Sequence, residues 1–286
     1  MKIIVTKNAG VCWGVERAID MASQTVKETT GKMVSLGPLV HNPEVVHDFQ
    51  NKGLQVISDL DEVEDATVVF RSHGVPVDFY DKASEQNLKI IDATCPFVKR
   101  SQNYARRFSK LGFTVIIVGD ENHPEMKSVR SYVKGEYLVT MNPKDVHKIP
   151  ADRKVGVIAQ TTIPLSVLNS VIEASQRRFR EVKVHDTICD ATKVRQEEAA
   201  ELAPHVDCMI VIGGKESSNT KKLTKICQGL QPKSYEIEHE REIDFSWFNG
   251  VNTLGVTAGA STQIPVIERI CKYIEEKMRP LQREAS

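Results

Sequence analysis

The sequence predicts an α/β protein of three similar modules, each with its own parallel sheet, and three observations carry that prediction. At 286 residues the chain is longer than one ordinary core holds, since domains cluster near roughly 100–150 residues. Three separated segments repeat one plan, in which a β-branched run is followed by a cysteine and then by helical spacing. Strands alternating with helices also require crossover connections, which are right-handed and give parallel pairing.

The repeat is read in order. Ile3-Ile4-Val5 leads to Cys12 and a helical stretch from Gly14, Lys89-Ile90-Ile91-Asp92 leads to Cys95 and a helix from Val98, and Lys183-Val184-His185-Asp186 leads to Cys189 and a helix from Val194. The next strands, Met33 to Leu36, Val115 to Val118 and Met209 to Ile212, run into loops carrying His41, His123 and Ser217, at 29, 28 and 28 residues from their cysteines. A third set, Thr67 to Phe70, Lys154 to Ile158 and Thr253 to Val256, ends in loops carrying His73, Thr161 and Ser261. Modules over 1–95, 96–189 and 190–286 are expected, the last with a C-terminal helix. In parallel sheets the loops at the carboxyl ends of strands build the site, and every polar residue above lies in such a loop. A pseudo-threefold trefoil with those ends inward would bring the three cysteines to one point.

Composition narrows the function classes. Hydrophobic residues at 41% and charged residues at 27% describe a globular chain with a sizeable core. Lys and Arg number 38 against 38 Asp and Glu, leaving no field to gather nucleic acid or an acidic membrane. No apolar run reaches the ~18 residues of a membrane span, and the first residues read as a strand rather than a signal peptide. A cytoplasmic protein is expected.

A single cysteine at a strand end is most often a small buried hydrophobe. Three at matching places of a repeat suit zinc or an iron–sulfur cluster, because a helix N-terminus favours the thiolate that ligates metal. Three ligands rather than four leave a position open for chemistry. Cys208, in an apolar strand, and Cys227 and Cys271, on helices, read as packing residues.

Histidines are usually structural or exposed when taken singly. As a set, His41, His73 and His123 with Ser217, Ser218, Asn219 and Ser261 form a donor cradle suited to a compact anion such as phosphate. Gly213-Gly214 would let the chain approach that ligand closely. No GxxxxGK[ST] run is present, so a nucleotide P-loop is not supported. Glu125 reads either as a first-turn glutamate favoured by the helix dipole or as a general acid working through a neighbouring hydroxyl such as Thr161. The acidic runs Asp59 to Asp65 and Glu238 to Glu242 read as solvated faces or caps.

Nine ordered motifs resemble the 4-hydroxy-3-methylbut-2-enyl diphosphate reductase family over nearly the full chain. They are Ala9-Gly10-Val11-Cys12-Trp13-Gly14-Val15-Glu16-Arg17-Ala18, Val40-His41-Asn42-Pro43, Arg71-Ser72-His73-Gly74-Val75, Asp92-Ala93-Thr94-Cys95-Pro96, His123-Pro124-Glu125, Gln160-Thr161-Thr162, Ile188-Cys189-Asp190-Ala191-Thr192, Ser217-Ser218-Asn219 and Thr257-Ala258-Gly259-Ala260-Ser261. The resemblance implies a trefoil around a [4Fe–4S] cluster held by Cys12, Cys95 and Cys189, with the fourth iron open. It implies diphosphate binding by His41, His73, His123, Ser217, Ser218, Asn219 and Ser261, with Glu125 as proton donor and Thr161 beside the substrate alcohol.

The implied reaction is reductive removal of an allylic hydroxyl, giving isopentenyl and dimethylallyl diphosphates, the last step of the methylerythritol phosphate route to isoprenoids. Two electrons would come from an external donor such as ferredoxin or flavodoxin. Two rival readings keep part of this picture: a cluster acting as a non-redox Lewis acid in a hydro-lyase, and an iron or oxygen sensor that binds a partner.

Overall fold

The computed structural model describes residues 1–61 and 63–284. Its first half runs β1 (Lys2–Val5), α1 (Trp13–Glu28), β2 (Lys32–Leu36), α2 (Pro43–Asn51), β3 (Leu54–Ile57), β4 (Ala66–Phe70), α3 (Asp78–Glu85), β5 (Lys89–Asp92), α4 (Pro96–Lys110) and β6 (Thr114–Val118). There follow α5 (Pro124–Ser131), β7 (Tyr137–Thr140), β8 (Val155–Ala159), α6 (Leu165–Arg178), β9 (Val182–Val184), α7 (Asp190–Leu202), β10 (Cys208–Ile212), α8 (Ser218–Leu230), β11 (Ser234–Ile237), β12 (Thr253–Ala258) and α9 (Ile264–Glu284). No described helix is long and apolar enough to cross a membrane.

The strands form three parallel sheets of four, in the orders β3-β2-β4-β5, β7-β6-β8-β9 and β1-β12-β10-β11. Residues 13–189 make one compact unit holding the first two sheets, and residues 1–12 with the chain from Asp190 make another holding the third.

Each central strand is apolar on both faces, as a sheet covered by helices on both sides requires. In β6, Val115 and Ile117 pack against Ala105 and Phe108 of α4 and Met126 and Val129 of α5, while Ile116 and Val118 pack against Leu168 and Val171 of α6. The helices supply matching stripes. In α4, Val98, Ser101, Gln102, Ala105 and Phe108 are the buried positions, a spacing of three and four that puts one face against the sheet. Pro96 starts that helix at a position needing no N–H donor. Truncating a fully buried residue such as Ile116 to alanine costs about 2–5 kcal/mol.

The module boundaries differ from those expected. β1 does not join the first sheet; Lys2 to Val5 pair in parallel with Thr253 to Val256 of β12. The physical reason is edge closure. The first two sheets take as their fourth strand the segment that follows them, β5 or β9, whereas the third takes the N-terminal strand, which pairs along the edge of β12. Residues 1–12 therefore belong with the third module, and each of Cys12, Cys95 and Cys189 follows the fourth strand of a sheet. The short edge strands β3, β7 and β11 were not anticipated.

The acidic runs are surface features. Asp59 pairs with Lys82 at 2.5 Å and Asp61 with the same ammonium. In the second run Glu242 pairs with Lys215 at 2.6 Å and Glu240 with Arg269 at 3.4 Å. Glu62 lies outside the described residues.

Candidate active site

In the 13–189 unit, histidines from three strand-end loops converge. Ring centroids are 4.3 Å apart for His41 and His73, 5.6 Å for His41 and His123, and 5.5 Å for His73 and His123. Enclosure by the protein, and then the neighbouring His41, His123 and Arg71, hold the His73 imidazole well below the ordinary value of 6.5. It is therefore neutral at pH 7. One ring nitrogen from each histidine lies within 4.8 Å of the others, a spacing that raises the question of metal ligation.

The N-terminus of α5 answers it. His123 is the N-cap, and its Nδ1 accepts the Glu125 backbone N–H at 3.1 Å. An imidazole whose Nδ1 lone pair is engaged carries a proton on Nε2, so the Nε2 of His123 is a donor and not a metal ligand.

Glu125, at 1% exposure, occupies the first turn of the same helix. Both carboxylate oxygens are held by one residue: the Thr161 backbone N–H donates to Oε1 at 2.7 Å, and the Thr161 hydroxyl donates to Oε2 at 2.7 Å. The loop carrying Thr161 is fixed by buried Gln160, whose Oε1 accepts the Asp120 N–H at 3.1 Å and whose Nε2 donates to the Thr162 hydroxyl at 3.2 Å. The sequence places Gln160 in the Gln160-Thr161-Thr162 motif but gives no spacing signal for its role in fixing the loop.

In the other unit, Ser217, Ser218, Asn219 and Ser261 share the carboxyl ends of β10 and β12, paired so that Ile212 lies opposite Ala258. Ser217 caps α8 and accepts the Thr220 N–H at 3.3 Å. Asn219, at 4% exposure, has no hydrogen-bond partner for either side-chain polar atom. Leaving such groups unsatisfied costs about 1–3 kcal/mol each, so among the described residues this amide keeps both a donor and an acceptor open. Lys222, four residues along α8, donates to the Ser218 hydroxyl at 2.7 Å. It adds a cation to this end that the sequence reading missed, although the spacing of four was visible.

Gly213 has a different purpose from the one expected. A Cβ there would lie 2.3 Å from the Thr220 hydroxyl oxygen, and one at Gly259 would lie 2.2 Å from the same atom. Thr220 is fully buried between the two glycines, so their bareness makes room for a threonine rather than for a ligand. Gly259→Ala is expected to lower stability by about 1–3 kcal/mol, read as the denaturation midpoint, with Thr220→Ala recovering most of it.

The cysteines divide into two groups. Cys12, Cys95 and Cys189 each stand immediately before a helix and are partly exposed. Their backbone N–H groups are anchored alike: Cys95 to Ser72 O at 2.9 Å, Cys189 to Thr161 O at 3.0 Å, and Cys12 to Ala260 O at 3.0 Å. This register equates Ser72, Thr161 and Ala260, one residue off the alignment of His73, Thr161 and Ser261 drawn from the sequence. Cys208 and Cys227 are fully buried and Cys271 half-buried, and burial pushes each of these thiols up to about 11. Near pH 8 about one in a thousand of such thiols is ionised. Iodoacetamide treatment of iron-free protein at pH 8 should therefore label Cys12, Cys95 and Cys189 and spare the other three, as read by peptide mass spectrometry.

Parallel α/β architecture, histidines and hydroxyls at strand ends and partly exposed thiols at helix starts define a class: an α/β protein with polar strand-end loops and cysteines available for a metal centre. The chain belongs to the LytB family, whose model, described as LytB protein, matches residues 3–275. It is 46% identical over 276 residues to 4-hydroxy-3-methylbut-2-enyl diphosphate reductase of Trichlorobacter lovleyi, covering 96% of this chain and 98% of that one. Among solved structures it resembles (E)-4-hydroxy-3-methyl-but-2-enyl diphosphate reductase, described as the terminal enzyme of the non-mevalonate pathway, with 39% identity, TM-score 0.71, and coverage of 96% of this chain and 99% of that one. It also resembles E-1-hydroxy-2-methyl-but-2-enyl-4-diphosphate reductase from Plasmodium falciparum, with 25% identity, TM-score 0.91, and coverage of 95% and 87%.

Proposed function

We propose that this chain is an iron–sulfur reductase converting (E)-4-hydroxy-3-methylbut-2-enyl diphosphate to isopentenyl and dimethylallyl diphosphates, the last step of the methylerythritol phosphate route, in the cytoplasm. Membership of the LytB family and the relatives' names support the reaction. The observation that carries the chemistry is the buried Glu125, both oxygens held by Thr161, two residues after His123, whose Nδ1 accepts the Glu125 N–H so that its Nε2 is a donor.

The donor set fits a cluster. Three cysteines are partly exposed at helix starts with parallel backbone anchors, unlike the three whose thiols burial keeps protonated. Cys12, Cys95 and Cys189 would hold a [4Fe–4S] cluster with one iron open. Such a group, when bound, supplies electrons one at a time and Lewis acidity toward the allylic hydroxyl oxygen. The electrons would come from an external protein donor such as ferredoxin or flavodoxin.

The chain's own residues bind, orient and protonate. His41, His73 and His123 would donate to the diphosphate, and Ser217, Ser218, Asn219 and Ser261 would supply hydroxyl and amide contacts. Remote binding energy of this kind holds the reacting carbon in place. Glu125 would deliver the proton with which the hydroxyl leaves as water, and the Thr161 hydroxyl, hydrogen-bonded to Oε2, would relay or orient it. The C–O bond breaks, a C–H bond forms, and two electrons and two protons are consumed for each water released.

Anaerobic preparation should give brown protein with close to four iron per chain, reducing the allylic diphosphate only when an electron donor is present. Turnover without any donor would favour the hydro-lyase reading, and turnover by colourless, iron-free protein would remove the cluster from the reaction. Failure to bind the diphosphate would return the sensor reading.

A further inference from the structure

The loop that ends in Cys12 is held from both sides within its own unit. On one side lie the strand-end carbonyls: Gly10 N–H donates to Ala258 O at 3.5 Å and Cys12 N–H to Ala260 O at 3.0 Å. Gly10 has φ +99°, and a Cβ there would lie 2.8 Å from Ile264 Cδ1 and 3.1 Å from Thr262 O. On the other side lies α7. Arg195 Nη2 donates to Gly10 O at 2.6 Å, and its Nη1 donates to Ala191 O, one turn back in the helix, at 2.8 Å. Three residues further on the same helix face, Glu198 accepts from Asn8 twice, from the backbone N–H at 2.8 Å and from Nδ2 at 2.6 Å.

We propose that Arg195 is a positioning residue that clamps the loop from Asn8 to Cys12 onto α7, with the Glu198 to Asn8 pair only an accessory contact, and that presentation of the Cys12 thiol to the cluster depends on the Arg195 clamp. The proposal rests on the reading of Cys12 as a cluster ligand. The two contacts are unequal. Arg195 is 6% exposed, so its charge-assisted bond to Gly10 O is made away from water and leaves a buried carbonyl unsatisfied when removed. The Glu198 to Asn8 pair is exposed, where such contacts contribute little. A guanidinium anchored two residues from Cys12 also adds a positive charge to that region, which favours the reduced state of a nearby redox group.

The test compares full-length wild type, Arg195→Gln, Arg195→Lys and Glu198→Gln, with and without iron. Hydrogen–deuterium exchange is read on residues 8–12 and, as a control, on the strand 114–118. In iron-free Arg195→Gln, exchange of 8–12 should rise at least tenfold with 114–118 unchanged. In the iron-loaded variant, iron loss to a chelator should quicken tenfold or more. The reduction equilibrium should shift about tenfold toward the oxidised state, 59 mV for a one-electron couple. Arg195→Lys should restore the potential in greater part than the exchange, because it keeps the charge but not the two-pronged geometry. Glu198→Gln should stay within about twofold of wild type in every readout. Unchanged exchange over 8–12 in Arg195→Gln would overturn the clamp, as would an equal rise over 114–118. Faster exchange with iron retention and potential unchanged would leave the loop contact standing and overturn its link to Cys12 ligation. A wild type that takes up no iron would instead bring down the proposed function, while exchange still decides the clamp.

Discussion

Glu125→Gln is expected to keep the fold, the iron and the affinity for the diphosphate, and to lose turnover by about 10²-fold or more, the usual contribution of a positioned general acid. The fold survives because the substitution is nearly isosteric and its hydrogen bonds can be reassigned. The amide oxygen still accepts the Thr161 backbone N–H, which now donates to Oε1, and the amide NH2 can donate to the Thr161 hydroxyl, which now donates to Oε2. What is lost is the acidic proton. Steady-state kinetics with separately measured diphosphate binding distinguishes this from general damage: kcat falls while the dissociation constant holds. Thr161→Val should cost less, since the backbone N–H still fixes Oε1 and only one side-chain hydrogen bond, worth about 0.5–1.5 kcal/mol, is removed. Normal turnover by the glutamine variant would move the proton donor to another residue.

The fold was legible where burial writes itself into sequence. Val115 to Val118 and Met209 to Ile212 are unbroken apolar runs because both faces of those strands are covered. Edge strands leave a weaker trace: in β11 the middle residues Tyr235 and Glu236 are only half-buried, so Ser234 to Ile237 reads as loop. The partner of Ile3-Ile4-Val5 was illegible for another reason. Local pattern specifies a strand but not the sheet whose edge it joins, here β12. The same limit produced the one-residue slip in equating His73, Thr161 and Ser261, which the backbone anchors of the three cysteines correct. The loop histidines were visible as residues out of place at strand ends. The proton position on His123 was not, because it depends on a backbone N–H two residues away.

Substituting the three helix-start cysteines tests the remaining half of the chemistry. Cys12→Ser, Cys95→Ser and Cys189→Ser should each give protein with little or no retained iron, because a hydroxyl is a poor substitute for a soft thiolate ligand, and reductase activity should fall to background. None should unfold the chain: the side chains are partly exposed, and the backbone N–H of each keeps its bond to Ala260, Ser72 or Thr161. Cys208→Ser should do the reverse. Its sulfur is fully buried within β10, packed among Ile210, Leu254 and Val256, with Met209 O 4.0 Å from it, so a hydroxyl buried there costs about 1–3 kcal/mol, while iron content and turnover per folded molecule stay at wild-type levels. Iron per chain and thermal midpoint, measured together on all four variants, separate ligation from packing. If Cys189→Ser retained its iron and Cys208→Ser lost it, the ligand set would have to be redrawn around the strand thiol, despite a burial that holds that thiol protonated at neutral pH.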